Sequence, residues 1–418
     1  MDVVYPRCCG LDVHKATVTA CLLTPGQQGG PAKELRTFRT MTGDLLALSD
    51  WLLAAGCTHV ALESTGVYWK PIWNLLEGAF QLLLVNAQHI KAVPGRKTDV
   101  RDSEWLAELL RHGLVRGSFV PEREQREVRE LVRYRTSVVR ERASEVNRVH
   151  KALEGGNIKL ASVASDVMGT SGRRMLAELI GGATEAPALA DLALGKLRAK
   201  LPELEQALTG RVGGHQRFLL ARQLAHIDFL DELIAEVSTE VARRMRPFEQ
   251  ALADLDSIPG VGRQTAEVLV AEIGLDMARF PSPGHLASWA GMCPGQHESA
   301  GKRRSGRTRK GSPWLRATLV EAAHAAARKK QCYLAAQYRR FAARRGKKTA
   351  AVAVGHTILV IAYHVLKRHQ PYQDLGPDYF DQRDRQAIQR RLTHRLESLG
   401  FEVRLTQRPP ADQEQAAV

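Results

Sequence analysis

Two carboxylates stand three residues apart in GRKTDVRDSEWLAELL, residues 95–110, where an amphipathic helix begins. They are Asp99 and Asp102. Acidic residues are favoured at a helix N-cap and in the first turn, because they complement the positive end of the helix dipole. Capping is therefore the ordinary explanation. The three-residue spacing also places both carboxylates on one face of the helix, where they can share a ligand.

Two further acids stand where apolar strands are predicted to end. Asp12 follows the apolar run in CCGLDVHK, and Glu63 follows HVAL in HVALESTG. A charged group buried at a strand end without a partner costs several kcal/mol, so such a residue usually lies at a solvent edge or in a site. If the two strands are neighbours, Asp12 and Glu63 lie side by side. The helix that carries Asp99 and Asp102 can then complete a cluster of four carboxylates.

Four carboxylates within a few ångströms of one another repel and raise one another's pKa. Divalent cations relieve that repulsion, and oxygen ligands without Cys or His favour Mg²⁺ or Mn²⁺. Two such ions roughly 4 Å apart polarise a phosphate and stabilise both the attacking and the leaving oxygen. The four acids therefore predict a site for two Mg²⁺ or Mn²⁺ ions that acts on phosphate esters.

Residues 1–120 hold the elements that must position these acids. Apolar periodicity and turn residues predict strands in RCCGLDV, ATVTACLL, KELRTFRTM, HVALEST and QLLLVNA. They predict helices in GDLLALSDWLLAAG, in VYWKPIWNLLEG and after Asp99. The resulting order is strand, strand, strand, helix, strand, helix, strand, helix, which predicts an α/β layer structure.

The remainder of the chain is predicted to be mainly helical. In residues 121–250, apolar residues recur at helical intervals among dense charges, which predicts long helices with a narrow apolar seam. Such helices form either a coiled coil between chains or a small bundle within one chain, and periodicity alone favours neither. Residues 251–372 are Gly-rich first and basic later. The tail, 373–418, ends in the polar RPPADQEQAAV (408–418), which is predicted to be disordered.

The net charge is strongly positive. The chain has 60 Lys and Arg against 45 Asp and Glu, a formal charge of +15, which favours nucleic acid or an anionic membrane surface as partner. The longest apolar stretch, 350–366, contains His356 and His364 and is short for a membrane span, so we expect a buried helix and no membrane. Without a signal-peptide pattern or a CxxC pair, we expect a cytoplasmic protein with reduced cysteines.

A second group of motifs lies in residues 251–316. LDSIPGVGRQTAEVLVAEIG (255–274) predicts two helices joined by a Pro-Gly-Val-Gly turn. This is either a plain helical hairpin or a helix-hairpin-helix, in which Gly260 and Gly262 let backbone N–H groups approach a phosphate. Six of the nine residues in KRRSGRTRK (302–310) are basic, which suits contacts to a nucleic-acid backbone, although a solvated basic loop is common. The candidate nucleic-acid-binding side chains in this loop are Lys302, Arg303, Arg304, Arg307, Arg309 and Lys310.

The segments GLDVHK, ALESTGVYW and NAQHIKAVPGRKTDVRDSEWLAELLRHGL resemble the DEDD transposases of bacterial insertion sequences, the IS110 family. A second block, GMCPGQHESAGK (291–302), is similar to the C-terminal transposase domain of that family. The resemblance implies an N-terminal RuvC-like domain with an RNase H-like fold, and a nucleophile at Ser299, with Ser305 as the alternative. It also implies that four residues are the DEDD metal ligands: Asp12, Glu63, Asp99 and Asp102.

The resemblance implies a transposase that cuts and rejoins DNA through a phosphoserine intermediate. It further implies a bridge RNA that pairs with donor and target DNA, and assembly as dimers or tetramers. The expected order is a RuvC-like domain (1–120), a helical or coiled-coil dimerisation region (121–250), a C-terminal transposase domain with the catalytic serine loop (251–372) and a helical and disordered tail (373–418), in a bacterial, nucleoid-associated protein. Two other functions stay open, a RuvC-like metal-dependent structure-selective nuclease and a non-catalytic nucleic-acid-binding protein.

Overall fold

The computed structural model describes residues 2–26, 30–63, 66–86, 102–295, 297–299, 301–383 and 385–406, with the backbone alone at 297–299 and 303–305. Two predictions lie outside the described residues, the role of Asp99 and the disorder of 408–418. The chain divides into two compact units, Met1–Glu122 and Arg123–Val418. Each unit is described by itself below.

The first unit has the element order that the apolar periodicity predicts. The strands are β1 (Cys8–Val13), β2 (Thr17–Pro25), β3 (Pro31–Arg39), β4 (His59–Glu63) and β5 (Gln81–Val85). The helices are α1 (Thr42–Ala54), α2 (Trp69–Leu76) and α3 (Asp102–Arg111). Gly56, two residues after the end of α1, has a φ of +65°, a left-handed conformation that glycine adopts without strain and that is typical of helix ends.

The five strands form one mixed sheet in the order β3-β2-β1-β4-β5. β1, β2 and β3 pair antiparallel, whereas β4 pairs parallel with both β1 and β5. One face of the sheet packs on α1 and α2 through side chains such as Leu48 and Ile72. The other face packs on α3 through Leu106 and Leu110. This mixed α/β sheet is consistent with an RNase H-like transposase domain.

Two long helices organise the start of the second unit. They are α4 (Arg123–Gly155) and α9 (Gly214–Met245), and they run antiparallel, because Arg244 near the end of α9 pairs with Glu127 near the start of α4 (N···O 2.7 Å). Between them lie α5 (Leu160–Val163), α6 (Thr170–Gly181), α7 (Ala186–Ala190), a 3₁₀ helix (Gly195–Lys200) and α8 (Leu201–Leu208). The apolar seam of the long helices is thus buried within one chain, as in a small bundle.

The rest of the second unit is helical apart from one short pair of strands. The helices are α10 (Glu249–Asp256), α11 (Arg263–Ile273), α12 (Pro283–Trp289), α13 (Pro313–Arg328), α14 (Tyr333–Arg345), α15 (Lys347–Arg368), α16 (Tyr379–Arg383) and α17 (Arg385–Glu397). Short 3₁₀ helices occupy Arg246–Phe248 and Met277–Arg279, and the strands are β6 (His297–Ser299) and β7 (Lys302–Ser305).

The predicted apolar helix of residues 350–366 is α15. Among the described residues it is the one helix that is long and apolar enough to cross a membrane, and more than half of its apolar stretch is buried. Ile358, Leu359 and Ala362 are fully buried, and α12, α13 and α14 pack around the helix. That packing is typical of a core helix, as the sequence predicts.

Candidate active site

Asp12 and Glu63 end two neighbouring strands. β1 and β4 pair in parallel, and the last pair of this register sets Leu11 opposite Leu62. Continuing the register by one residue sets Asp12 opposite Glu63, as expected if the strands are neighbours. Both residues are partly buried, with 24% of the Asp12 side chain exposed.

Both acids lie on the sheet face that carries α3. Alternate residues of a strand face opposite sides of the sheet. Cys8 of β1 and Ala61 of β4 belong to the core beneath α3, and Asp12 and Glu63 follow them at even spacing. Gly10, between Cys8 and Asp12, lies directly under the helix.

α3 places Asp102 at the same end of the sheet. The carbonyl of Arg111, the last residue of α3, accepts a hydrogen bond of 2.9 Å from the N–H of Val4, ahead of the start of β1. At the other end of the helix, a Cβ on Gly10 would lie 2.4 Å from the carbonyl oxygen of Ser103. α3 therefore runs antiparallel to β1, and its first residue, Asp102, lies toward the end of β1 where Asp12 stands.

The described acidic side chains, those of Asp12, Glu63 and Asp102, do not form one metal-binding cluster. The imidazole of His14 lies 3.3 Å from the Asp12 carboxylate (Nε2–Oδ2), and Asp102 is exposed. Within the described ranges, no three His, Cys, Asp or Glu side chains come close enough to hold a metal ion. The backbone positions of three of the four predicted ligands thus lie at one corner of the sheet. The fourth, Asp99, lies outside the described residues.

The chemistry of this corner fits a hard divalent cation. The candidate donors are carboxylate oxygens, the ligands that Mg²⁺ and Mn²⁺ prefer. The hydroxyl of Ser103, next to Asp102, is fully buried and has no hydrogen-bond partner in the described part of the chain. A buried hydroxyl without a partner is uncommon, and this one lies beside Asp102 at the start of α3. The sequence motifs did not single out Ser103 or Gly10, although a glycine inside an apolar strand is a known sign of close backbone approach.

Ser299 lies beside the tip of a small β-hairpin. β6 and β7 pair antiparallel with Ser299 opposite Lys302, so that a two-residue connection joins the strands. Gly301 in this connection has a φ of +71°, as two-residue hairpin turns require. An isolated bridge between Pro294 and Thr308 continues the pairing toward the base. The segment predicted as a basic loop is therefore a hairpin, and its register brings a lysine opposite the proposed nucleophile.

The hairpin is anchored at its base in the helical core. Cys293, just before it, lies 4.0 Å (Sγ–Nδ1) from His356 of α15, and the guanidinium of Arg316 in α13 donates to the hydroxyl of Thr308. Burial raises the pKa of the Cys293 thiol and lowers the pKa of the His356 imidazole. Both groups are therefore neutral at pH 7, and their contact is structural. Lys302, Arg307, Arg309 and Lys310 are exposed.

The two glycines of the Pro-Gly-Val-Gly turn have different environments. The turn joins α10 to α11. Gly260 has a φ of +87°, and a Cβ there would lie 2.3 Å from the carbonyl oxygen of Ala322 in α13, so this glycine is needed for packing. Gly262 is exposed at the N-cap of α11, with open space around its Cβ position. Only Gly262 therefore leaves a backbone N–H region accessible to a phosphate.

Buried ion pairs join α11 to α4 and to the segment after the hairpin. Glu272 of α11 is nearly fully buried, accepts two hydrogen bonds from the guanidinium of Arg133 (2.6 and 2.9 Å), and accepts a third from the hydroxyl of Ser312 (3.1 Å). Arg129 donates to the carbonyls of Ala271 and Glu272 at the end of α11, and burial lowers its pKa to about 10. These contacts fix the start of α13, and with it the hairpin, on the long helices.

Comparison with known proteins agrees with this arrangement. Residues 9–158 match the family model of the IS110 DEDD transposases, and residues 252–339 match a model described as transposase, IS116/IS110/IS902 family. A probable family 20 transposase of Pseudomonas aeruginosa is 26% identical over 273 residues, which cover 64% of this chain and 71% of the relative. The transposase for insertion sequence element IS1111A of Coxiella burnetii is 27% identical over 301 residues, 69% of this chain and 72% of the relative.

A mixed sheet with acids at its strand ends, followed by a helical part with its own transposase signature, defines an insertion-sequence transposase. The chain belongs to the IS110 family of DEDD transposases. The family implies the use of divalent metal ions in general and DNA as a partner.

Proposed function

We propose that this transposase cuts and rejoins DNA through a phosphoserine intermediate on Ser299, assisted by two Mg²⁺ or Mn²⁺ ions. The ligands of these ions are Asp12, Glu63, Asp99 and Asp102. The observation that carries the proposal is the convergence of β1, β4 and the start of α3, because it sets acids from three separate segments at one corner of the sheet. The second family match, which spans the Ser299 hairpin, supports the nucleophile.

The proposed strand cleavage exchanges one phosphate ester for another. Bound ions polarise the phosphate and offset its negative charge. The Oγ of Ser299 forms a bond to phosphorus while the bond from phosphorus to one deoxyribose oxygen breaks, and the serine proton ends on that leaving oxygen. Lys302, opposite Ser299 in the hairpin register, adds positive charge near the reacting phosphate. Because one ester replaces another, the strand can be rejoined without net hydrolysis.

We further propose that the chain works as a dimer or tetramer on donor and target DNA, guided by a bridge RNA, in association with the nucleoid. Phe218 and Phe229 on α9 support a surface for a second chain, because 65% and 57% of these residues is exposed. They are eleven residues apart and so share one helix face. The exposed N-cap at Gly262 and the basic hairpin support binding to phosphate backbones.

Trapping a covalent protein–DNA adduct tests the nucleophile. The purified transposase is incubated with radiolabelled DNA that carries the element's ends, with co-purified RNA and Mg²⁺, and is then denatured. We expect labelled protein from the wild type and from Ser305→Ala, and none from Ser299→Ala. Free DNA ends without an adduct would instead favour a nuclease that activates water.

A second experiment tests the acids. Asp12→Asn is expected to abolish the adduct while nucleic-acid affinity stays within about twofold of wild type, because the acid serves the ions rather than the nucleic acid. Asp44→Asn, at a partly buried acid in the first turn of α1 that pairs with Arg39, is the matched control and should retain both activities. Equal loss of cleavage and binding in Asp12→Asn would show that Asp12 is a structural residue. Sequencing the RNA that co-purifies with the wild type tests for the guide.

A further inference from the structure

Four cations surround the turn at Gly346, where α14 ends and α15 begins. They are Arg344, Arg345, Lys347 and Lys348, called the basic corner below. All four are exposed, and within the described part of the chain none of them forms an ion pair. The sequence explains why: residues 322–373 contain 11 Lys and Arg but no Asp or Glu.

Elsewhere in the same unit, cations on long helices are matched with acids. Arg142 of α4 pairs with Asp231 of α9, and Arg244 of α9 pairs with Glu127 of α4. The basic corner therefore differs from the facing sides of α4 and α9, where these cations are paired with acids. An unbalanced cationic surface favours a polyanionic partner.

The two lysines are also placed against the dipole of their own helix. Lys347 and Lys348 begin the 22-residue helix α15, and a cation at a helix N-terminus is disfavoured by about 0.3–1 kcal/mol. Arg344 and Arg345 lie in the last turn of α14, where the dipole favours cations. The arginines can thus be explained by their helix, whereas the lysines cannot. A bound polyanion would offset the unfavourable placement of the lysines.

The basic corner lies near the Ser299 hairpin. His356, nine residues after Lys347 on α15, contacts Cys293 at the base of the hairpin. Nine residues of α-helix span about 13 Å, which is the rise of about four base pairs of a double helix. A duplex held at the hairpin is therefore within reach of the corner.

We propose that the basic corner binds the phosphate backbone of a double-helical nucleic acid and anchors the duplex beside the Ser299 hairpin. This inference rests on the proposed function for the identity of the hairpin. Single-strand binding usually needs several exposed aromatic side chains on which successive bases stack, whereas α14 exposes one, Phe341, at 39%. Four cations beside a single exposed aromatic residue suit sequence-independent contacts to the backbone of a duplex.

The test removes the two unexplained cations. Binding of Lys347→Gln/Lys348→Gln to fluorescent nucleic acid of about 20 base pairs is measured by anisotropy over a salt series, with a DNA duplex, an RNA duplex and a single DNA strand of equal sequence. Loss of two phosphate contacts should weaken binding about tenfold or more near 0.1 M salt and make the slope of log K against log salt shallower by about 1.8. The duplex that responds identifies the partner, DNA or RNA.

Lys196→Gln/Lys200→Gln is the matched control. These two lysines are exposed on the 3₁₀ helix Gly195–Lys200, far along the chain from the corner, and removing them makes the same change in net charge. The control should keep wild-type affinity and slope, and both variants should keep the wild-type unfolding temperature. An unchanged slope in Lys347→Gln/Lys348→Gln, an equal loss in the control, or a loss confined to single-stranded DNA would overturn the proposal.

The outcome is separable from that of the proposed function. If duplex binding is unchanged in Lys347→Gln/Lys348→Gln while the Ser299 adduct still forms, the proposed duplex binding by the basic corner is wrong and the phosphoserine mechanism is supported. If duplex binding falls as expected but the wild type forms no adduct, duplex binding by the basic corner is supported and the phosphoserine mechanism is wrong.

Discussion

Replacing Gly10 by alanine tests how closely α3 must approach the sheet to place Asp102. The new Cβ would lie 2.4 Å from the carbonyl oxygen of Ser103 and 2.5 Å from the amide nitrogen of Ala107. Both are backbone atoms, so the whole helix must shift. Overpacking of a core costs about 1–3 kcal/mol, and a loss of about 2 kcal/mol lowers the unfolding temperature of a unit of this size by roughly 8 °C.

The assay is thermal unfolding of the full chain, with and without Mn²⁺. At 100 times its dissociation constant a ligand stabilises the folded state by about 2.7 kcal/mol, and Gly10→Ala should lose part of that shift because Asp102 moves away from Asp12. Gly43→Ala, whose Cβ meets nothing within 4 Å, is the control and should match the wild type or exceed it. The reasoning is refuted if Gly10→Ala unfolds at the wild-type temperature and shows the full Mn²⁺ shift.

Three further predictions concern a buried carboxylate, the two turn glycines and the pH. Glu272→Ala removes a nearly fully buried carboxylate that accepts three hydrogen bonds, while its partner Arg133 is 36% exposed and stays solvated, and should lower the free energy of unfolding by about 1–3 kcal/mol; a change below about 0.5 kcal/mol in urea unfolding contradicts this. Gly260→Ala should destabilise the second unit, because of its positive φ and the backbone oxygen 2.3 Å from the new Cβ, whereas Gly262→Ala should fold normally and differ only in duplex affinity. Burial raises the pKa of Cys8 and of Cys57 from 9.0 to about 12. The folded state therefore keeps protons that the unfolded chain releases near pH 9, and the free energy of unfolding should fall as the pH rises above 9, by about 1 kcal/mol per thiol between pH 9 and 10; a urea midpoint that is equal at pH 8 and pH 10 contradicts it.

The order of elements in the first unit was predictable because each element has a local signal. Apolar runs bounded by turn residues mark the strands, and α1 ends at a glycine. The proximity of Asp12 and Glu63 was predictable only on the assumption that β1 and β4 are neighbours, because no local feature of the sequence indicates which strands pair. The buried, unpartnered hydroxyl of Ser103 was not predictable, because serine is equally common in an exposed first turn.

In the second unit, the sequence predicts long helices but does not show whether they pack against helices of the same chain or of a second chain. The apolar seam of α4 has the same spacing whether it meets α9 or a second chain, and the pairing of Arg142 with Asp231 becomes visible only in three dimensions. The β6–β7 hairpin was missed for a different reason. Its strands have three and four residues without apolar alternation, and Ala300-Gly301 is a weaker turn signal than Asn-Gly.

Salt should separate nucleic-acid binding from folding in the second unit. Arg135 and Glu267 are both about 5% exposed or less and lie 2.7 Å apart (Nη2–Oε2), and buried pairs are screened far less than exposed charges. The basic corner is exposed, so raising NaCl from about 0.1 to 0.5 M should release a bound duplex steeply. The urea midpoint should change little over the same range. If unfolding and release occurred at the same salt concentration, loss of binding would reflect loss of structure, and the salt slope would no longer count the phosphates at the corner.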